Sequence, residues 1–487
     1  MGCCNSKVDK PSKKKAENLK SLGEPLKVAA ISAEKPKLVI QKGKVGEKYK
    51  IIKLLGTEKH GSYFQVMNVK TNVERFLKEY IKAKTSKKTL EQVLESIETL
   101  YGIDHPNVVK ITEVIESDES LNIIAELCTG GELTAKISKN KSFSEKDAAK
   151  TFKDIMLAIS CCHANGIVHR NISTKTILYQ NQESNSEIKL VDFSLSKKMK
   201  HKHALKEPIG SVQYMAPEVF DKEYNEKCDI WSAGVVLYIM LVGRPPFGGH
   251  KVNDIVASIK EGKLHLDKSH CQHLSGEAKD LLKKMLSVDP EARLSAQQVL
   301  EHQWIKSYNN DTISSIPLTE EVFAHLIRHH SESKLSDALF SFVATQISDS
   351  AEDKILEEQF KAMDKNGDGR LTLEEIESGL KLLSPGTNVD PKKLFSEIDR
   401  DHSGFVGYTE FMMASRNWKK TVQKEELEKV FQSLDIGSDG QLALNDFKNS
   451  FPGIDSSEWA DFFKAADANQ DGLISYEELK EYLISRA

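Results

Sequence analysis

The sequence predicts a multidomain protein in which an α+β portion is followed by an all-α portion. Three observations carry that prediction. The chain has 487 residues, and at roughly 150 residues per domain this is enough for about three domains with sizeable cores. Apolar runs such as NIIAELCTGGEL (122–133) and IKLVDF (188–193) read as buried strands that end in loops. Beyond residue 350 a twelve-residue acidic loop with a central glycine returns four times.

Composition narrows the class. A net charge of −4 favours no partner class, and no nucleic-acid partner is expected. Seven cysteines with no C-x-x-C pair read as reduced thiols of a cytosolic protein, without a zinc site. No stretch of about 18 apolar residues offers a membrane span, and no secretory segment opens the chain.

Residues 1–48 read as a flexible tail without helical or strand period. The start MGCCNSK fits an acylation signal, with Gly2 as myristoylation site and Cys3 and Cys4 as palmitoylation sites. One myristoyl chain binds membranes only marginally, so the cysteines or the lysines Lys7, Lys10, Lys13, Lys14 and Lys15 are expected to supply the second signal. The expected location is therefore cytoplasmic and membrane-associated.

Residues 49–308 carry an ordered set of motifs: LLGTEKHGSYF, RFLKEY, IDHPNVVKI, HRNISTKTIL, IKLVDFS, GSVQYMAPEVF, DIWSAG and DPEARLSA. Together they resemble a protein-kinase domain, which implies a bilobal α+β fold. The resemblance places Gly56 and Gly61 in the phosphate loop, Lys78 at the phosphate-gripping lysine, Glu126 to Cys128 at the hinge and Asp192 at the metal-binding acid. Ala216, Pro217, Glu218, Asp229, Trp231, Gly234 and Arg293 fall on scaffold positions of the second lobe.

The chemistry implied by that family fails at specific positions. Asn171 stands where the catalytic Asp accepts the substrate proton, Thr176 where an Asn holds a second Mg²⁺, and Ser173 where a Lys steadies the phosphoryl group. Glu58 replaces the middle glycine of the phosphate loop and brings a repelling charge. Tyr63 and Phe76 replace small residues above the adenine and are expected to crowd it. Ser96 falls at the helix glutamate that pairs with Lys78, flanked by Glu95 and Glu98. Ser194 follows Phe193 in place of glycine, leaving Asp192 to hold metal unassisted. ATP is expected to bind poorly or not at all.

Residues 309–350 form a junction. EEVFAHLIRHHSESKLSDALFSFVATQIS spaces Val322, Leu326, Leu335, Leu339 and Phe342 as one face of an amphipathic helix.

Residues 351–487 hold four calcium loops. In 364–375, Asp364, Asn366, Asp368 and Glu375 occupy positions 1, 3, 5 and 12, and Arg370 offers its carbonyl. Loop 399–410 repeats the pattern with Asp399, Asp401, Ser403, Phe405 and Glu410, and loop 467–478 with Asp467, Asn469, Asp471, Leu473 and Glu478. Each Glu chelates through two oxygens, which suits the 6–8 oxygen ligands of Ca²⁺. Loop 435–446 keeps Asp435, Asp439 and the carbonyl of Gln441 but has Gly437 at position 3 and the shorter Asp446 at position 12, so it is expected to bind weakly or to prefer Mg²⁺. Leu371, Val406, Leu442 and Ile474 share position 8, where paired loops meet in a short ladder, so two lobes of two hands are expected.

Tail, kinase-like domain, junction and four EF-hands in this order resemble the calcium-dependent protein kinase family. The resemblance implies Ca²⁺-switched phosphorylation of Ser or Thr by ATP, with the junction acting as an autoinhibitory segment that the hands capture. The calcium half carries over loop by loop. The catalytic half does not, so the expected function is a membrane-tethered, calcium-responsive pseudokinase acting as switch or scaffold. A slow but genuine Ser/Thr kinase is the alternative, and a passive calcium buffer leaves the kinase-like domain unexplained.

Overall fold

A computed structural model describes residues 40–183, 186–199, 205, 210–309, 339–340, 343, 351–381, 390–399, 403–421, 426–435, 439–450 and 456–485. Its first lobe is a six-stranded sheet: β1 (Ile40–Lys42), β2 (Tyr49–Glu58), β3 (Gly61–Asn68), β4 (Glu74–Ile81), β5 (Ile111–Glu116) and β6 (Ser120–Ala125), in the order β1-β5-β6-β4-β3-β2. The four successive pairings from β2 across the sheet to β5 are antiparallel, which suits the tight hairpin of Lys59 and His60 between β2 and β3.

The tail was expected to be flexible through Lys48, yet Ile40–Lys42 pairs parallel with β5 and Val45–Glu47 forms a 3₁₀ turn. Three residues are too short for a period to register, and the open edge of β5 selects them.

Helix α1 (Lys87–Tyr101) starts at Ser86, whose side chain accepts from the Thr89 amide, and buries Val93, Ser96, Ile97 and Leu100, with Ser96 turned to the 194–196 segment. The second lobe is mainly helical. Its centre is α3 (Glu145–Ala164), capped by Ser144, followed by α5 (Lys227–Val242), which is apolar all round and consequently buried all round. Asp229 at the start of α5 accepts from the His169 amide at 2.8 Å and the Arg170 amide at 2.9 Å, and so pins the segment that carries Asn171. A buried pair, Arg293 to Glu218 at 2.6 Å and 3.0 Å, ties the ends of this lobe together.

Beyond residue 350 all long elements among the described residues are helices. Leu371 pairs with Val406, and Leu442 bridges Ile474, so the hands couple two by two. Each couple has its own core: Leu356, Phe360, Ile376, Leu394 and Phe411 in the first, and Leu427, Phe431, Phe447, Phe462 and Leu479 in the second. Of the junction, Leu339, Phe340 and Val343 are described, and all three are buried in the core of the second couple, with the Phe340 ring edge-on to Trp418 at 4.6 Å. Val322, Leu326, Leu335 and Phe342 lie outside the described residues, as do Gly2, Cys3 and Cys4. Among the described residues no helix is long and apolar enough to cross a membrane.

Candidate functional site

The cleft between the lobes gathers the residues expected for nucleotide and metal. Strand alternation puts Lys78 and Tyr80 of β4 on one face, and the loop after the short strand Ile188–Leu190 delivers Asp192 opposite them with a left-handed backbone, φ 61°. Three side chains of the chain itself donate to Asp192. Lys78 Nζ donates to Oδ1 at 3.1 Å, Ser194 Oγ donates to the same oxygen at 2.8 Å, and Asn171 Nδ2 donates to Oδ2 at 2.9 Å. An Asp at position 171 would offer only acceptors to that carboxylate; the amide converts a repulsion into a bond.

Electrostatics follow this geometry. Burial is the largest influence on Lys78 and opposes its charge, but the Asp192 carboxylate, Tyr80 and Glu58 together outweigh it and hold the ammonium above its usual pKa. Burial likewise works against the Asp192 anion, yet Lys78 and the Ser194 hydroxyl hold it below the usual carboxylate range. Lys78 Nζ also lies 5.2 Å from the Tyr63 ring centre and 5.3 Å from that of Tyr80.

The remaining departures point the same way. Tyr63 and Phe76 stack with ring centres 5.9 Å apart, and Phe76 is the register partner of Ala125, the last strand residue before the hinge. Ser96 does not face Lys78: its hydroxyl donates to the Ser196 carbonyl at 3.0 Å and the Gln92 carbonyl at 2.9 Å, while Glu95 and Glu98 are exposed. Thr176 turns back into its own loop, donating to the Asn171 carbonyl at 2.8 Å and accepting from the Ser173 amide at 3.0 Å. Glycine is required at Gly61, where a Cβ would sit 1.7 Å from the Glu79 carbonyl oxygen, whereas Gly56 has only the Tyr63 ring at 3.3 Å. Tyr80 and Ser194 were not singled out in the sequence as partners of the cleft pair, although Tyr80 follows Lys78 with the strand period.

The calcium loops are arranged differently. In the first, Asp364 accepts from the amides of Gly367 at 2.7 Å and Gly369 at 2.8 Å, Asn366 from Asp368 at 2.9 Å, and Asp368 from Arg370 at 2.9 Å. Glu375 caps Thr372 with Oε2 at 2.9 Å while Oε1 rests on the Lys365 amide at 3.0 Å. The fourth loop repeats these contacts through Asp467, Asn469, Asp471 and Glu478. In the second, Asp399 accepts from Gly404 at 3.0 Å and Glu410 from Gly407 at 2.8 Å; Asp401 lies outside the described residues. In the third, Asp435 accepts from Gly440 at 2.8 Å, Asp439 from Gln441 at 3.0 Å and Asp446 from Ala443 at 2.8 Å.

The donors are all oxygen and the turn glycines have left-handed φ values of 78°, 83°, 83° and 82°, as a hard cation in such a loop requires. Among the described residues no three acidic, His or Cys side chains converge closely enough to grip an ion as they stand. In loops 1 and 4 the reason is visible: Oε1 of Glu375 and of Glu478 is held by backbone amides and has to leave them to chelate.

Comparison with known proteins agrees with this architecture. The protein kinase domain family matches residues 49–305, the EF-hand domain pair family matches 352–416 and 390–451, and the EF hand family matches 460–484. The chain is 34% identical over 473 residues to calcium-dependent protein kinase 4 of Plasmodium falciparum, covering 92% of this chain and 89% of that protein. Calcium-dependent protein kinase 14 of Arabidopsis thaliana is 31% identical over 453 residues, covering 91% and 85%.

Proposed function

The chain belongs to the calcium-dependent protein kinase family, and from that premise we propose that it is a calcium-responsive pseudokinase, a switch or scaffold whose cleft no longer transfers phosphate. The observation that carries this reading is the occupation of Asp192. Phosphoryl transfer needs that carboxylate on a metal, a base at position 171 and a free Lys78 for the phosphates. Here Asn171, Lys78 and Ser194 all donate to Asp192, so the carboxylate that a metal requires is spent on the chain's own side chains. Removing the proton acceptor alone costs on the order of 10² to 10⁴ in rate. The stacked Tyr63 and Phe76 add a loss of nucleotide fit.

The EF-hands bind Ca²⁺, and in this reading they carry the response. When Glu375 and Glu478 leave their amides to chelate, the helices that follow them move with them, since Thr372 and Ser475 cap those helices on the same carboxylates. The second couple of hands already surrounds Leu339, Phe340 and Val343, so its opening or closing is transmitted to the junction. The third loop takes Mg²⁺ or a weakly held Ca²⁺ through Asp435, Asp439, Gln441 and Asp446. Acylation at Gly2, Cys3 and Cys4 tethers the assembly to a membrane. Replacing Gly2 by Ala is expected to shift the protein out of the membrane fraction.

Retention of Lys78 and Asp192, together with relatives named as kinases, supports the slow kinase as the second reading. One experiment separates them. A titration of ATP with Mg²⁺ or Mn²⁺ is run beside a phosphate-transfer assay at saturating Ca²⁺. No binding at micromolar ATP and no transfer is the expected result. Calcium-stimulated transfer that is lost in Lys78→Ala and Asp192→Ala overturns it.

A further inference from the structure

The first and fourth calcium loops share their internal hydrogen bonds but not their surroundings. Gly367 and Gly369 at loop positions 4 and 6 are buried, whereas their counterparts Gln470 and Gly472 in the fourth loop are exposed. What covers the first loop is the kinase domain. A Cβ on Gly367 would lie 2.4 Å from Leu157 of α3, and one on Gly369 would lie 2.9 Å from His105 and 3.0 Å from Cys161. Arg370, at loop position 7, donates its guanidinium to Asn165 Oδ1 at the end of α3. Beside it, Thr409 of the second loop donates its hydroxyl to Asp104 at 2.7 Å and accepts from Lys110 at 3.1 Å. On the preceding helix, Lys361 reaches Glu187 of the kinase domain at 3.2 Å.

From this contact we infer that the first loop is a composite calcium site, whose affinity and exchange rate are set by Asn165 and the α3 surface of the kinase domain. The inference rests on the calcium reading of the loops. The physical reason is preorganisation. Docking seats both loop glycines and anchors Arg370, whose carbonyl is the position-7 ligand, so positions 1 to 7 are ordered before the ion arrives. By reciprocity the ion strengthens docking by the same factor that docking strengthens ion binding. The fourth loop is a built-in control, having the same ligands and no such cover.

The test uses the full chain, calcium calorimetry and stopped-flow calcium release into a fluorescent chelator. Glu375→Gln identifies the first-loop phase by its loss, and Glu478→Gln identifies the fourth. Asn165→Ala is expected to accelerate the first-loop phase at least about fivefold, the low end of typical site coupling, and to leave the fourth unchanged. Arg370→Ala keeps the carbonyl ligand and leaves α3 intact, so it covers the case in which Asn165→Ala loosens the helix end. Loss of a nearby cation by itself tightens calcium, so weaker, faster binding in Arg370→Ala is specific to docking. The double variant is expected to fall no lower than the weaker single one. Unchanged first-loop release in both single variants, or equal acceleration of both phases, overturns the inference and leaves the calcium reading standing. Loss of no phase in Glu375→Gln sinks both.

Discussion

The cleft and the calcium loops are both built from acidic side chains held by hydrogen bonds, and they differ in who supplies those bonds. In the cleft, side chains of opposite or donor character close on Asp192 from three directions. In the loops, backbone amides hold the carboxylates in place, and amides keep their position when an oxygen turns to a cation. A site satisfied by side chains is finished, while a site satisfied by backbone is poised. On the proposed reading, the family's chemistry is lost in the first kind of site, while the calcium chemistry is kept in the second.

The largest effect is expected from breaking the poised sites. Replacing Glu375, Glu410 and Glu478 by Gln removes the bidentate ligand from three loops, and calcium affinity is expected to leave the sensor range of about 10⁻⁷ to 10⁻⁵ M. Hydrogen exchange around Leu339, Phe340 and Val343, with and without Ca²⁺, reports the consequence. The parent chain is expected to show a calcium-dependent change there and the triple variant none. Equal protection of the parent in both states makes the hands structural.

A next test addresses the finished site. Asn171→Asp restores the family's residue, yet it sets two carboxylates 2.9 Å apart where the amide bond now lies. The change is expected to cost about 1–3 kcal/mol of stability in urea unfolding, the penalty for an unmet buried polar group, and to restore no phosphate transfer. Gain of turnover without loss of stability contradicts the lock at Asp192.

How much of this was legible in the sequence depends on the range of the contacts. Position-8 residues Leu371, Val406, Leu442 and Ile474 announce their pairing because the loop pattern is local and repeated. Asn171 announces the loss of a base, but nothing local says that its amide will bond Asp192, because that partner lies 21 residues away. Ile40–Lys42 escaped notice since a three-residue edge strand is chosen by its neighbour rather than by its own period. Asp104, Asn165 and Lys361 read as ordinary polar residues until the fold lays the first pair of hands on the kinase domain.

That interface supplies a smaller effect with a definite sign. Glu187 lies among Lys361, Asp154 and Glu357, with Lys361 3.0 Å from Glu357 and 3.9 Å from Asp154. Burial lifts its pKa from near 4.5 to about 8, with Lys361 opposing and the facing Glu357 carboxyl adding to the rise. Its folded-state pKa is raised, so the native chain holds more protons than the unfolded one between those values. Stability is therefore expected to fall as pH rises through that window. Glu187→Gln is permanently neutral and donates toward Glu357, so melting temperatures from pH 5 to 8 are expected to flatten by a few degrees. A parent melting temperature that rises across the same range contradicts the shared proton.

The smallest effect sharpens the contrast among the loops themselves. Asp446 stands where the other loops have Glu, and one methylene fewer keeps its carboxylate nearer its own helix. There Oδ2 accepts from the Ala443 amide at 2.8 Å, the contact that Glu375 and Glu478 make with Thr372 and Ser475. In those loops the second oxygen of the longer side chain reaches back to position 2, to Lys365 and Ala468, and that is the oxygen that turns to the ion. Asp446→Asn keeps a carbonyl oxygen to cap Ala443, so the helix start is preserved at a cost of a few tenths of a kcal/mol, well below the roughly 1 kcal/mol of a deleted cap. Calorimetry is expected to show the calcium isotherm of the three other loops unchanged, with only a weak or Mg²⁺-selective component diminished. If Asp446→Asn instead removes a high-affinity calcium site, the third loop is poised like the others, and the ranking of the four loops by side-chain length fails.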